Sequence, residues 1–356
     1  MSGAIEQIDF HALAAWMDTC DLGSGPVQDV QLLAGGSQNI LIRFRRSGRD
    51  YVLRHPPAHP RPESNETMRR EARALSALAG TGVPHPALIA ACDDETVLGA
   101  VFYLMEPVEG FNPAAGLPDL HAGSAAIRHR MGLSMIEALV ALAKVDYRAV
   151  GLEGFGKPEA FLERQVGRWK KQLAGYAQLA GWPGAQALGG LAEVADWLER
   201  NRPASFKPGI LHGDYHLANV MFCPDSGEVA AIVDWELATV GDPLVDLGWI
   251  LATWPEDGEE PVMNIRPWDG FPTQSELVRH YRECADHADF DAGWYAVFGC
   301  YKLAILLEGT FARACAGKAS PEIGDKLHAR AKWLIGRASR WIADGMPFER
   351  GAGGLG

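Results

Sequence analysis

Apolar and polar residues alternate over short runs in the first hundred residues, which is the pattern of half-buried strands. The runs at 27–33, 40–45 and 51–54 are separated by glycine-containing turns, and we expect them to pair as an antiparallel meander. An amphipathic helical pattern precedes them at 8–19, and a second one follows at 65–79. This part of the chain therefore predicts an antiparallel sheet accompanied by a long helix.

Beyond residue 109 the apolar positions recur every three or four residues instead. Four runs of this kind predict helices: 126–145, 158–176, 191–200 and 294–308. The change of period predicts an α+β fold, with a β-rich lobe at 1–108 and a helical lobe at 109–356.

The composition is that of a globular protein. The 356 residues are 47% apolar and 22% charged, which gives enough material for a core and excludes a disordered chain. The formal net charge of -12 argues against a nucleic-acid partner, because such partners need a basic surface.

Several features predict a cytoplasmic protein. The six cysteines are scattered without a C-x-x-C pair, which favours reduced thiols over a disulfide framework or a zinc site. The N-terminal residues carry acids and lack the basic start of a signal peptide. The apolar stretches at 138–145 and 244–254 are too short to cross a membrane, and the second also contains Asp246, so we expect no membrane association.

The candidate chemistry lies in the sequence Leu-His-Gly-Asp-Tyr-His-Leu-Ala-Asn-Val at 211–220. Asp214 precedes Asn219 by five residues, and Asp234 follows an apolar run at 230–233 that predicts a buried strand. Phosphoryl transfer needs a carboxylate that accepts the proton of the attacking hydroxyl, and oxygen ligands that hold Mg²⁺ against the triphosphate. We therefore assign Asp214 as the base, and Asn219 and Asp234 as metal ligands. The alternative is that these residues only form turns.

With these spacings the segment resembles the catalytic loop of the aminoglycoside phosphotransferase family, which shares the protein-kinase fold. That family has His-Gly-Asp before an Asn, a metal-binding Asp after an Ile-Val pair, and a later Gly-Asp-Pro, as at 241–243 here. The Tyr215-His216 version of the loop is most similar to the branch related to domains fused to acyl-CoA dehydrogenases. The resemblance implies a protein-kinase-like two-lobed fold, Mg²⁺, and ATP or GTP as the phosphoryl donor.

Two charged residues are assigned to the nucleotide site. The kinase fold places a phosphate-binding Lys on its third strand, and here the basic residue is Arg54. Glu71 lies on the apolar stripe of its predicted helix, and a carboxylate on a buried face needs a cation. Arg54 is the expected partner, and a local pair with Arg70 or Arg73 in solvent is the alternative.

The remaining nucleotide contacts involve backbone groups. The turn at Gly35, Gly36 and Ser37 leaves room for main-chain N–H groups beside phosphates. The segment at 102–110 resembles the connector between the lobes of the family. The backbone of that connector receives the adenine, which implies contacts from Glu106 and Val108.

Residues around the catalytic loop have structural assignments. Asp242, which stands before Pro243, predicts an N-cap with Pro as the first helical residue. Asp246, one turn later, is expected to brace the loop by hydrogen bonds. His212 is expected to hold the loop, and Glu236 to lie in a solvated turn rather than at a second metal.

The sequence thus favours a small-molecule kinase with a hydroxyl acceptor. The branch implies a hydroxyacyl-CoA, and an aminoglycoside antibiotic is the alternative acceptor. A nucleotide-binding module with little catalysis stays open, because Arg54 replaces the usual Lys. A third class is an iron oxygenase built on His212 and Asp214, which the helical second lobe argues against. The aromatic run at 169–182 is assigned to packing or to the acceptor site, and the oligomeric state is left open.

Overall fold

The structure, a computed structural model, describes residues 5–33, 39–57, 62–256, 258–259, 263–285 and 289–348. The turn predicted to bind phosphate, at Gly35, Gly36 and Ser37, lies outside the described residues. The α+β prediction is confirmed, since a β-rich lobe precedes a helical one. The boundary between residues 108 and 109 stays a prediction.

A five-stranded antiparallel sheet forms the N-terminal lobe. Its strands are β1 (Gln28–Leu32), β2 (Ile40–Arg46), β3 (Arg49–His55), β4 (Leu88–Cys92) and β5 (Phe102–Met105). They follow the order β1-β2-β3-β5-β4. The alternation that predicted β2 is present, because every second residue of that strand is buried.

Helices cover both faces of this sheet. Helix α1 (Phe10–Thr19) buries Leu13 and Met17 in an apolar cluster on one face. Helix α2 (Ser64–Leu78) lies on the other face, where its apolar stripe joins Tyr103 in a core that continues into the helical lobe. The second face therefore connects the sheet to the rest of the molecule.

The C-terminal lobe is built from helices around two short strand pairs. Strand β6 (Gly209–Leu211) pairs with β9 (Thr239–Gly241), and β7 (Val220–Phe222) pairs with β8 (Val229–Ile232). After the short helix α3 (Glu95–Leu98) of the first lobe, the helices are α4 (Asp119–Ala122), α5 (Ala125–Lys144), α6 (Phe161–Gly175), α7 (Leu191–Arg200), α8 (Leu244–Thr253), α9 (Gln274–Cys284), α10 (Ala292–Cys315) and α11 (Pro321–Asp344).

Helix α10 is longer than the predicted 294–308 and runs through the core of the C-terminal lobe. By length and composition it could cross a membrane, and it is the one helix in the described part of the chain that meets this test. In the most apolar 18-residue stretch of this helix, 72% is buried inside the fold. The helix packs there against α8 and α11. Core packing therefore accounts for its composition, although the apolar stretches considered above did not include it.

Helices α8 and α10 touch through their backbones. A Cβ atom on Gly248 of α8 would lie 2.1 Å from the carbonyl oxygen of Tyr295. A Cβ atom on Gly299 of α10 would lie 2.4 Å from the carbonyl oxygen of Gly248. This close approach fixes α8, which carries Asp246, against the core of the lobe.

We predict that Gly248→Ala lowers the free energy of unfolding by about 2–3 kcal/mol, because the added methyl group has no space between the two backbones. The matched control is Gly336→Ala in α11, where a Cβ atom meets no atom within 4 Å. That change should raise the stability by up to about 1 kcal/mol, since alanine favours the helix. Urea unfolding measures both values. Equal stability of the two variants would contradict the close packing.

Candidate active site

The residues assigned to catalysis lie on a loop between β6 and β7. The loop ends in a 3₁₀ turn at Leu217–Asn219, and β7 begins with the next residue. Strand β7 pairs with β8, and the N–H group of Val233 continues the ladder by donating to the carbonyl oxygen of Asn219 at 2.9 Å. The hairpin therefore brings Asn219 next to Asp234, as the assigned metal site requires.

Asn219 also fixes the carboxylate assigned as the base. Its side-chain amide donates to the carbonyl oxygen of Asp214 at 2.9 Å and to Oδ2 of Asp214 at 3.1 Å. Because both contacts use the nitrogen, the amide oxygen of Asn219 points elsewhere. That oxygen is then available as a ligand for a hard cation.

The second carboxylate oxygen of Asp214 faces a histidine. Nε2 of His216 lies 3.3 Å from Oδ1 of Asp214. Burial alone would raise the pKa of Asp214, but the hydrogen bond and charge of His216, with His212 and Lys302, hold that pKa well below its usual value. The carboxylate is therefore ionised at neutral pH and can accept a hydrogen bond from a hydroxyl.

His212 holds the loop to the end of β8, as predicted. Its Nδ1 accepts the N–H group of Asp214 at 3.3 Å, and its Nε2 donates to the carbonyl oxygen of Val233 at 2.9 Å. Burial lowers the pKa of His212 to about 4, so the ring is neutral at pH 7. Both ring nitrogens are engaged, so His212 cannot supply the ligand that the iron-oxygenase hypothesis needs.

Asp246 of α8 braces the loop by hydrogen bonds, which confirms the predicted role. Its Oδ2 accepts the N–H group of His212 at 2.6 Å, and its Oδ1 accepts that of Gly213 at 2.9 Å. Asp246 is completely buried, and burial raises its pKa to about 6 against the opposing effect of these two hydrogen bonds. Helix α8 thus presents a carboxylate to two consecutive backbone donors.

Asp242 accepts the N–H group of Leu244 at 3.1 Å and the hydroxyl of Tyr295 at 2.6 Å. The predicted capping contact is therefore present, but α8 begins at Leu244 and not at Pro243. The hydroxyl of Tyr295 holds the second carboxylate oxygen of Asp242. A tertiary contact of this kind has no local signal in the sequence.

Lys302 is a part of this site that the sequence did not reveal. It lies on α10, and its Nζ donates to the carbonyl oxygen of Gly213 at 2.6 Å. The ammonium group stands 4.2 Å from the ring centre of Trp249. The available signal was a lone lysine within a strongly apolar helix, since such a cation needs a specific partner.

Arg54 links the two lobes. Its Nε lies 2.7 Å from Oε2 of Glu71, which is completely buried, and a second guanidinium nitrogen donates to Oδ1 of Asp234 at 2.8 Å. The hydroxyl of Tyr103 also donates to Glu71, at 2.7 Å. Burial raises the pKa of Glu71, and the charge of Arg54 opposes that rise. The predicted pair is therefore present.

The alternative of a local pair for Glu71 is wrong. Arg70 donates to the carbonyl oxygens of Phe155 and Ala238. Arg73 donates instead to the carbonyl oxygens of two residues of the 151–153 loop. Both arginines thus tie α2 to the helical lobe.

Asp234 has a left-handed backbone, with φ at 68°. Its side chain is 39% exposed, and Arg54 holds one of its two oxygens. Glu236 is half-buried, which corrects the expectation of a solvated turn. Burial, with the charges of Asp234 and Glu71, raises the pKa of Glu236 to about 7.

The donor set around Asp234 suits Mg²⁺. The described residues contain no group of three or more His, Cys, Asp or Glu side chains that could hold a metal by themselves. Asn219 and Asp234 offer two hard oxygen donors, and Mg²⁺ in nucleotide sites is commonly held by one or two protein oxygens together with phosphates and water. The residues present therefore fit a nucleotide-bound Mg²⁺ better than a metal held by protein alone.

The connector is only partly free to bind a base. The N–H group of Glu106 donates to the carbonyl oxygen of Ala87 at 2.9 Å, and the side chain of Glu106 pairs with Arg49. Within the described part of the chain, the backbone N–H of Val108 has no such partner. The groups left to a nucleotide are therefore the carbonyl of Glu106 and the N–H of Val108.

A small apolar cavity adjoins the catalytic loop. No carboxylate lines it, and Nδ1 of His216 is buried beside it without a hydrogen-bond partner in the described residues. The cavity is lined by Met135, His216, Leu217, Ile250, Thr253, Trp254, Met263 and Trp268. The aromatic run at 169–182 contributes none of these residues, and Trp182 instead donates to the buried Glu308 at 2.7 Å. The assignment of that run to packing or to the acceptor site therefore stays a prediction.

A model of the phosphotransferase enzyme family (APH) matches residues 29–276 of the chain. Among curated proteins, acyl-CoA dehydrogenase family member 10 of Mus musculus is 31% identical over 306 residues, which cover 83% of this chain and 27% of that protein. Member 11 of Gallus gallus is 31% identical over 316 residues, covering 86% of this chain and 39% of that protein. The chain thus spans less than half the length of these relatives.

A solved structure from Ralstonia eutropha, assigned provisionally as an aminoglycoside phosphotransferase, is 30% identical with a TM-score of 0.76 and covers 94% of this chain and 99% of its own. The GDP and kanamycin complex of APH(2″)-IIIa has a TM-score of 0.63 at 15% identity, covering 95% of this chain and 100% of its own. The second likeness shows the fold alone. Both likenesses confirm the predicted protein-kinase-like fold.

We predict that the stabilising effect of His212 depends on pH. Its pKa of about 4 lies below the value of about 6.5 expected in the unfolded chain, so its contribution is full above pH 6.5 and is lost as the pH falls toward 4. The stability difference between the wild type and His212→Asn should therefore shrink by about 3 kcal/mol between pH 7 and pH 4. Urea unfolding at several pH values measures it, and a constant difference would contradict a neutral, buried His212.

Proposed function

The chain belongs to the phosphotransferase enzyme family, and on that basis we propose that it moves the γ-phosphoryl group of Mg-ATP or Mg-GTP to a hydroxyl group of a small molecule. One observation carries the proposal. The hairpin of β7 and β8 places Asn219 beside Asp234, while the amide of Asn219 holds Asp214. The loop before β7 and the end of β8 thus bring a candidate base and two candidate oxygen ligands together.

Asp214 is the proposed proton acceptor. Its carboxylate is ionised and held by Asn219 and His216, so it can orient the acceptor hydroxyl and take its proton as the phosphoryl group arrives. Mg²⁺, when bound to Asn219 and Asp234, would neutralise charge on the phosphates. Positioning and electrostatics then account for most of the rate acceleration.

The nucleotide would lie between the lobes. We propose that the carbonyl of Glu106 and the N–H of Val108 receive the base. Arg54 would stand near the phosphates and keep Asp234 oriented, because its fork bonds Glu71 and Asp234 at once. The backbone at Gly35, Gly36 and Ser37 is proposed to cover the phosphates.

A hydroxyacyl-CoA is the proposed acceptor. The support is that the identified relatives are acyl-CoA dehydrogenase family members. An aminoglycoside antibiotic is the alternative acceptor. It stays the second candidate because APH(2″)-IIIa was solved with kanamycin. A module that binds nucleotide without catalysis is less well supported, because all three assigned polar groups are present.

The test is phosphoryl transfer from γ-labelled ATP and GTP to a panel of hydroxyacyl-CoAs, aminoglycosides and small amino alcohols. We expect label on hydroxyacyl-CoAs. Asp214→Asn should reduce this transfer by about a thousandfold, because the amide keeps the shape but cannot accept the proton. Nucleotide affinity should stay within about twofold, since Asp214 acts on the hydroxyl.

The matched control for this experiment is Asp325→Asn, an exposed aspartate on α11, which should transfer at the wild-type rate. Persistent transfer by Asp214→Asn would remove Asp214 from the role of base. Label on aminoglycosides alone would favour the second candidate.

We also predict that Asp234→Ala weakens nucleotide binding at least about tenfold in the presence of Mg²⁺, because a ligand oxygen is lost. In EDTA the wild type and the variant should bind nucleotide equally. Calorimetric titration of both proteins, each in Mg²⁺ and in EDTA, gives the four dissociation constants of the nucleotide. An equal loss of affinity with and without Mg²⁺ would show that Asp234 acts through Arg54 and not through a metal.

A further inference from the structure

Lys302 is a buried cation for which the proposed chemistry has no use. It is 7% exposed, and it is the one lysine in the buried set of the described residues. It lies near the middle of α10, among apolar neighbours. A charge in such a place lowers stability unless it has a specific partner, so its contacts carry information about function.

The ammonium group of Lys302 has a single hydrogen-bond partner in the described part of the chain. Nζ donates to the carbonyl oxygen of Gly213 at 2.6 Å. Its other neighbours are the faces of Trp249, at 4.2 Å, and Trp169, at 5.8 Å from the ring centres. The ammonium group of the buried lysine therefore binds one backbone carbonyl oxygen, that of the residue directly before Asp214.

Gly213 is held on both sides. Asp246 of α8 accepts the N–H groups of His212 and Gly213, while Lys302 of α10 binds the carbonyl oxygen of Gly213. We call these contacts the Gly213 clamp. The backbone of Gly213 has φ at 86°, and a Cβ atom there would lie 2.5 Å from the carbonyl oxygen of Leu237. Only glycine fits, and the two contacts hold the two peptide groups that flank it, because Asp246 binds the N–H of the first and Lys302 the carbonyl oxygen of the second.

We propose that Lys302 is a positioning residue for phosphoryl transfer, which fixes the peptide group before Asp214 and places a positive charge behind the Asp214 carboxylate. This inference rests on the proposed function. It assigns a role in turnover to a buried residue of α10 that acts through the backbone of Gly213. The clamp sets the direction of the Asp214 side chain, and small errors in such a direction reduce rates strongly.

The balance of charges supports this role. Asp214 and Asp246 are both charged neighbours of Lys302, and they oppose the effect of burial, which lowers the pKa of Lys302 to about 8. The positive charge of Arg168 on α6 also lowers the pKa of Lys302. At neutral pH the ammonium is still mostly charged, although the fold disfavours that charge. A residue kept for packing alone would be apolar here.

The test compares Lys302→Met, Lys302→Arg and the control Lys326→Met, an exposed lysine on α11. Methionine keeps the apolar stem and removes the charge and the donor. We expect its kcat to fall at least about tenfold while KM for the nucleotide stays within about twofold. Its Tm should change by less than about 3 °C, because a disfavoured buried charge is removed. Arginine should recover part of the lost kcat, and Lys326→Met should behave as the wild type.

An unchanged kcat in Lys302→Met overturns the proposal. So does a joint loss of kcat, nucleotide affinity and Tm that arginine does not recover, because that pattern indicates a purely structural role.

A separate readout keeps this inference distinct from the proposed function. If the wild type transfers no phosphoryl group to any acceptor and hydrolyses no nucleotide, the proposed function fails and Lys302 has no part in it. Amide hydrogen exchange then tests the clamp itself. Faster exchange at His212 and Gly213 in Lys302→Met supports the clamp, and unchanged exchange contradicts it.

Discussion

The candidate active site depends on one buried carboxylate. Asp246 accepts the N–H groups of His212 and Gly213, and no water reaches it to replace them. An ionised carboxylate in the core is stable only while such donors remain in place, so α8 fixes the catalytic loop to the helical core. The backbone contact of Gly248 with α10 fixes α8 in turn. The orientation of the Asp214 side chain therefore depends on the packing of α8 against α10 in the core of the helical lobe.

Two buried cations then balance the acids of the site, one from each lobe. Arg54 of β3 bonds Glu71 and Asp234, and Lys302 of α10 stands behind Asp214. An arginine suits the first position because its planar fork can hold two carboxylates in fixed directions, which a single ammonium group does less well. The replacement of the family lysine by Arg54 is thus compatible with an ordered site, and the bridge also joins the two lobes.

The apolar run at 230–233 predicted a buried strand before Asp234, and β8 is that strand. Its pairing with β7, which forms the hairpin, was not predicted. The pairing of Glu71 followed from its place on an apolar helical stripe. The sequence did not predict the contact of Lys302 with Gly213, which joins residues 89 positions apart, since no local pattern records such a contact. The sequence likewise did not show which main-chain group of Glu106 is free, and the N–H group is not, because it donates to the carbonyl oxygen of Ala87. Tertiary pairing decided both cases.

The proposed function requires this loop and hairpin to bind nucleotide through Mg²⁺. The decisive measurement is calorimetric titration of the wild-type protein with ATP and with GTP, first in Mg²⁺ and then in EDTA. We expect one nucleotide to bind per chain, with an affinity that falls at least about tenfold without the metal. Absence of binding for both nucleotides in Mg²⁺ would rule out this function, whatever acceptor the protein uses.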